Sequence, residues 1–382
     1  MLVLVNAALQ PDCANSLEVE LGWRLRSVAS VRVAIGELEE GERRNVKAVV
    51  VEAEPVSEAV LALLPDLELV ACLRSEPVNV DIAAATARGI PVLHTPGRNA
   101  EAVADFTLGL CLAMLRSIAV SHHGILSGQL TGPSAAPSAD RAVGDVIWRP
   151  ADPREKIPYL VYRGRQLSSI VLGLIGYGAA GRAVARRFSG LVREILVADP
   201  AVAPDLVEAN GCRPVGLGEL LRSADVVSLH ARSEARILGA EQLAAMRHGA
   251  YVINTARATV LDYDAVADAL ERGHLRGAAL DVFPEEPLPA SSRLIGLPGL
   301  TLTPHLGGAT EEVGGRQSEI FLEAVRSLYT SASSWQGLPV RNPEVREHWL
   351  AAHQCLDSAS SRHASPGSGA RPEGEDVLLE ER

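Results

Sequence analysis

Three side chains in the C-terminal half of the sequence have the types needed to move a proton and hold an anionic group: Arg257, Glu286 and His305. Histidine titrates closest to neutral pH, so it can take and return a proton at an oxygen while a bond changes at the adjacent carbon. A neighbouring carboxylate favours the imidazolium and orients the ring. A guanidinium holds a carboxylate through two parallel hydrogen bonds and so fixes the carbon beside it. The three residues lie in INTARAT, ALDVFPEEP and TLTPHLGGAT. Each segment includes or follows a strand-like run, which places Arg257, Asp281, Glu285, Glu286 and His305 beyond strand C-termini, where open α/β sheets bind ligands. Singly, Arg257 reads as a surface ion pair, Glu286 as a solvated turn and His305 as a capped loop. Their shared placement is what argues for chemistry. Glu285 is expected to face solvent. His94, His122, His123, His230 and His274 show no metal-ligand spacing, and no metal is expected.

A second constellation precedes them. VLGLIGYGAAGRAVARRF places Gly176, Gly178 and Gly181 in the spacing G-x-G-x-x-G, directly after an apolar strand and opening a helix. The first glycine permits the tight turn, the second lets backbone approach a pyrophosphate, and the third lets the helix pack on the strand. The helix N-terminus then stabilises the anion. The next strand, EILVAD, ends in Asp199, 23 residues beyond Gly176. A carboxylate there accepts hydrogen bonds from a ribose 2′-OH and repels a 2′-phosphate. Ala201 supplies no arginine, so NAD is expected rather than NADP.

The elements that must position these residues follow from the pattern. Leu2–Val5, Val46–Glu52, Leu67–Leu73 and Pro91–Thr95 read as strands, with helical runs at Glu58–Leu64 and Val80–Arg88. Ala100–Val120 reads as one long apolar helix. From Ser168 the alternation resumes with strands at Ile170–Ile175, Glu194–Ala198, Val226–His230, Tyr251–Asn254, Ala278–Phe283 and Thr301–Thr303. Such alternation predicts parallel sheets covered by helices. Glu311–Tyr329 is a further helix. Residues 121–168 carry Gly, Pro and Ser without a sustained period and form an irregular arm. Residues 346–382 are polar and are expected to be a disordered tail.

Composition narrows the function classes. The net charge is −11, which argues against nucleic acid and against anionic lipid as partners. All but Lys47 and Lys156 of the 36 basic residues are Arg, a chain-wide bias read as codon composition. Five scattered cysteines (Cys13, Cys72, Cys111, Cys212, Cys355) contain no CxxC pair and point to a reducing, cytoplasmic compartment. MLVLVNAALQPD lacks a basic n-region and reads as a first strand. The longest apolar stretch, Phe106–Leu115, is too short to span a membrane.

The order G-x-G-x-x-G, Asp199, NTAR, DVFPEEP, TPHLGG resembles the D-isomer-specific 2-hydroxyacid dehydrogenases, a family that includes phosphoglycerate dehydrogenase. NVDIAAATARGIPVLHTPGRNAEAVADFTLGL is similar to that family's first domain. The resemblance implies an α/β fold of two Rossmann-like or flavodoxin-like doubly wound domains with a cleft between them. A substrate domain would span 1–118, completed by 309–345, and an NAD-binding domain 119–308, including the arm. It implies that Arg257 holds the substrate carboxylate and carbonyl oxygen, that His305 is the acid/base, and that Glu286 pairs with it. Ala179 and Ala180 would complete the pyrophosphate loop. Asp281 would lie near the nicotinamide carboxamide, Thr255 and Ala256 would line its ribose, and Gly308 would belong to the same cofactor site. Arg74, Ser75 and Glu76 would form the substrate loop, where the family has glycines. The expected reaction interconverts a D-2-hydroxy acid and its 2-keto acid with NAD, in a homodimer. An NAD(H)-sensing, corepressor-like binding protein is the second reading.

Three further features depart from the family pattern. Arg232 and Arg236 replace neutral residues, and Ala258 stands where a glycine is usual, which requires that its backbone not need a positive φ. The arm carries Trp148 and the cationic Arg141, Arg149, Arg154, Lys156 and Arg163; it reads either as a passive surface arm or as a source of cationic contacts for a phosphorylated or polyhydroxy acid.

Overall fold

The computed structural model describes residues 1–131, 157–330 and 335–351. The chain divides into two compact units, Met1–Thr95 with Ser318–Arg382, and Pro96–Gln317.

The first unit holds five parallel strands: β1 (Leu2–Asn6), β2 (Arg24–Ser27), β3 (Val46–Val51), β4 (Leu69–Cys72) and β5 (Val92–His94), in the order β2-β1-β3-β4-β5. Period-two alternation sends Leu2 and Leu4 into one core cluster and Val3 and Val5 into the other. Burial of both faces is the mark of a parallel sheet covered on each side. The expected tail begins too early. Residues 346–351 are helical, and Trp349, only 3% exposed, packs in the core cluster that also holds Trp335 and Phe321.

The second unit holds seven parallel strands in the order β12-β11-β10-β9-β6-β7-β8. These are β6 (Val171–Ile175), β7 (Glu194–Ala198), β8 (Arg213–Pro214), β9 (Val226–Leu229), β10 (Ala250–Asn254), β11 (Leu275–Leu280) and β12 (Leu300–Leu302). Strand order reverses at β6, which is the crevice position of an open doubly wound sheet. Five helices matter below: α1 (Ala100–Leu115), α2 (Ile118–Leu126), α3 (Pro158–Val161), α4 (Ala179–Phe188) and α5 (Glu312–Thr330). The single helix expected over Ala100–Val120 is two, broken at Ser117, whose φ of 55° is left-handed. Helix α1 packs against α4 within this unit, through Ala104 and Cys111 in the cluster that holds Val184 and Phe188. The unit boundary therefore precedes α1, at 95/96, where the sequence reading had placed a division at 118/119.

Arg141, Trp148, Arg149, Arg154 and Lys156 lie outside the described residues. Arg163 is exposed, and its carbonyl accepts from Arg276 at 3.2 Å. No single helix among the described residues is long and apolar enough to cross a membrane.

Candidate active site

Register in the seven-stranded sheet builds one row. Leu302 lies beside Leu280, Leu280 beside Asn254, Asn254 beside Leu229, Leu229 beside Ile175, and Ile175 beside Ala198. The next residue on each strand therefore stands along the same C-terminal edge: Thr303, Asp281, Thr255, His230, Gly176 and Asp199. Backbone bonds continue the ladder by one step, from Thr303 N–H to Leu280 O (3.1 Å), Asp281 N–H to Asn254 O (3.0 Å) and His230 N–H to Ile175 O (2.8 Å).

At the glycine turn, Gly176 has φ 95°, and a Cβ there would collide with the backbone of Ala231. A Cβ on Gly181 would collide with the Gly176 carbonyl, so the third glycine is what allows α4 to sit on the turn. Gly178 caps α4, and a Cβ on it would meet open space. Ala179 and Ala180 open the helix, whose first N–H groups have no intrahelical acceptor. The room over Gly178 and the orphan donors beside it fit a pyrophosphate. Asp199 is held from both sides, by Tyr177 N–H on Oδ2 (2.7 Å) and Ala201 N–H on Oδ1 (2.9 Å), at the end of β7.

The catalytic candidates cluster at the other end of the row. His305 Nδ1 lies 2.7 Å from Glu286 Oε2, and Phe283 N–H donates to Glu286 Oε1 at 2.9 Å. Burial acts to raise the Glu286 pKa. The His305 hydrogen bond, the Phe283 N–H and the charges of His305 and Arg257 outweigh it and hold the carboxyl below the usual range. Arg257 is exposed at the start of a short 3-10 turn, its Nη1 2.7 Å from the Ala256 carbonyl. His305 has a left-handed backbone, φ 57°, held by its N–H on Asp281 O (2.8 Å) and on Thr303 O (3.0 Å).

Asp281 is the organiser of that loop. It is buried, and its carboxylate accepts from the Thr303 hydroxyl (2.6 Å), Leu306 N–H (2.8 Å) and Gly307 N–H (2.8 Å). A Cβ on Gly308 would press on Asn99 Nδ2 at 2.6 Å. Thr255 is buried, its hydroxyl 3.2 Å from that of Thr107. Sequence reasoning missed Asn254 and Tyr263. Asn254 Oδ1 accepts from Ala256 N–H at 3.0 Å, and its Nδ2 donates to Arg257 O at 2.9 Å. The Tyr263 hydroxyl donates to Val282 O and accepts from Asn254 Nδ2. The asparagine of NTAR was the available signal.

Ala258 opens the 3-10 turn without a positive φ, so the methyl is tolerated. Arg236 pairs with Asp262 at 2.6 Å. In the first unit, the Arg74 and Ser75 carbonyls accept from Thr95 N–H (2.9 Å) and from the His94 ring (3.0 Å). None of Arg74, Ser75 or Glu76 has a positive φ, so the loss of glycine there strains nothing. Among the described residues no cluster of three metal-ligating side chains occurs.

Residues 139–307 match the model of the D-isomer-specific 2-hydroxyacid dehydrogenase NAD-binding domain. A glyoxylate reductase of Korarchaeum cryptofilum is 35% identical over 274 residues, 71% of this chain and 75% of that enzyme. A D-3-phosphoglycerate dehydrogenase of Mycobacterium tuberculosis is 32% identical over 85% of this chain, which spans 56% of that enzyme. The crystal structure of the TT0316 protein from Thermus thermophilus superposes with a TM-score of 0.67 at 30% identity, covering 89% of this chain and 99% of that one.

Proposed function

The chain belongs to the D-isomer-specific 2-hydroxyacid dehydrogenase family and carries its NAD(P)-binding domain; from that premise we propose that it interconverts a small D-2-hydroxy acid and its 2-keto acid, with NAD as cofactor. The observation that carries the proposal is the His305–Glu286 pair at 2.7 Å on the edge row of the sheet. A carboxylate can only accept, so Nδ1 of His305 carries its hydrogen toward Glu286. That leaves Nε2 for the substrate oxygen. His305 takes the hydroxyl proton during oxidation and returns it during reduction, and Glu286 stabilises the imidazolium between those events. Arg257 holds the substrate carboxylate and carbonyl oxygen. When bound, the nicotinamide supplies or accepts the hydride. Asp199, fixed by two backbone N–H groups, favours a free ribose 2′-OH and therefore NAD. A paired acid/base favours turnover over sensing alone.

Cys13, Cys72, Cys111 and Cys212 are buried free thiols, in keeping with a cytoplasmic location. A homodimer accords with the apolar side chains that α2 and α3 expose.

The test is NADH oxidation followed optically against a panel of 2-keto acids, phosphorylated ones included, for wild type, His305→Ala and Glu286→Gln. We expect turnover on at least one compound. It should fall about 10²- to 10⁴-fold in His305→Ala and less in Glu286→Gln, with NADH affinity retained. Because the Glu286 carboxyl lies below the usual range, the wild type should keep its rate into mildly acidic solution and lose it as pH falls through the Glu286 pKa. Glu286→Gln should lack that limb. NADH binding with no turnover on any compound would overturn the reading.

A further inference from the structure

A cavity of about 570 Å³ in the second unit carries four arginines on its wall: Arg98, Arg182, Arg186 and Arg316. They come from three places. Arg98 lies on the turn before α1, Arg182 and Arg186 on one face of α4, and Arg316 on the first turns of α5. The same wall includes Ala100, Ala179 and Glu312, the first residues of α1, α4 and α5. Three helix N-termini of 16, 10 and 19 residues thus add their partial positive charge to that of the guanidiniums.

The two acidic side chains on the wall offset only part of this field. Glu101 is engaged by Arg186 at 2.5 Å and by Arg187 at 2.9 Å. Glu312 accepts from its own backbone N–H and from the Thr310 hydroxyl, which hold its carboxyl below the usual range. Arg98 donates to the neutral amide of Gln317. Arg98 and Arg182 are half-buried, and Arg186 and Arg316 are exposed. Counted over the lining residues alone, four guanidiniums stand against the two carboxylates Glu101 and Glu312, so the wall is basic on balance and suits an anion.

Apart from Ala179, no residue proposed for cofactor, substrate or catalysis lines the cavity. The chain-wide preference for arginine explains the residue type, and it does not explain why four converge on one hollow. We propose that this cavity is a second anion site, separate from the dinucleotide site, and that it takes a phosphate group, free or carried on a small molecule. Guanidinium forks arriving from three directions match a tetrahedral anion with several acceptor oxygens better than a planar carboxylate. The volume lies in the range of small-molecule pockets. The proposal does not depend on the assigned reaction.

The test is calorimetric titration of the full-length chain with inorganic phosphate at constant ionic strength, without and with saturating NADH, and then with glycerol 3-phosphate. We expect saturable one-site binding that persists with NADH bound. Arg98→Ala and Arg182→Ala should each weaken it about tenfold while leaving NADH affinity unchanged, and Arg316→Ala provides an exposed substitution with little risk to folding. Tighter binding of the ester supports a phosphorylated small molecule, and equal binding supports the free anion. Displacement of phosphate by NADH would assign the anion to the cofactor's own site and overturn the proposal. So would non-saturable binding, or affinity unchanged in all three variants. NADH affinity is read in the same experiment, so failure of the anion site and failure of the dehydrogenase reading stay distinguishable.

Discussion

His230 shows what a residue's surroundings add to its type. It follows β9 on the edge row, with Nε2 2.8 Å from the Ser228 hydroxyl and Nδ1 buried without a hydrogen-bond partner among the described residues. Burial pushes its pKa down to about 4. In the unfolded chain the ring takes a proton near the ordinary value of 6.5. Between those values the unfolded state binds more protons, so stability should fall as pH drops from about 6.5 toward about 4, by on the order of 3 kcal/mol in total. Urea unfolding between about pH 7 and about pH 4.5 measures this slope, and His230→Asn should flatten it. An unchanged slope in the variant would mean that the ring titrates freely in the fold. Residue type and spacing do not encode that His230 is buried. The same limit applies to His305. His305 was legible as a candidate from TPHLGG, while its left-handed backbone depends on Asp281 accepting three bonds from one loop, a tertiary arrangement that no local pattern encodes.

At the scale of elements, the strand–glycine turn–helix unit separates two functions of glycine that the motif alone presents together. Gly181 is required by packing, since a methyl there meets the Gly176 carbonyl, and Gly178 is not, since a methyl there meets open space at φ −70°. Gly181→Ala should therefore lower stability by about 1–3 kcal/mol through overpacking and weaken NADH binding as a consequence. Gly178→Ala should leave thermal unfolding nearly unchanged and still weaken NADH binding, by filling the approach to the pyrophosphate. Equal loss of stability in the two variants would contradict this division. Of the strands that carry the site, β6, β7, β9, β10 and β11 were legible because both their faces are largely buried, which gives short apolar runs, and β12 was legible as LTL although it is only half-buried. The strands that were missed lack that signal. β2 reads RLRS and is mostly exposed, and β8 is two residues long, with Arg213 exposed at the sheet edge. The break at Ser117 was hidden because the sequence is apolar on both sides of it, and only the backbone reversal marks the end of α1.

For the whole molecule, the sequence reading found two α/β units and misplaced their limits. Apolar content identified α1 as a core helix, but which core it joins is decided by its packing on α4. Trp349 lies in a polar stretch, and its burial depends on Trp335 and Phe321, which lie 14 and 28 positions earlier. Among the described residues, the second unit also exposes apolar side chains on two helices. Leu126 is 73% exposed and Tyr159 72%, with Ile118, Val120, Ile125 and Val161 about half exposed on the same two helices. Exposed apolar side chains concentrated on two helices are the pattern that a contact with a second copy would use. If α2 and α3 form the homodimer contact, a charge there must be desolvated against an apolar partner, a cost the monomer does not meet. Light scattering coupled to gel filtration should give the wild type twice the chain mass of 40.4 kDa. Leu126→Asp combined with Tyr159→Ser should return a folded monomer, with circular dichroism unchanged. A wild-type monomer would remove the dimer, and a variant that remains dimeric would place the contact on another face.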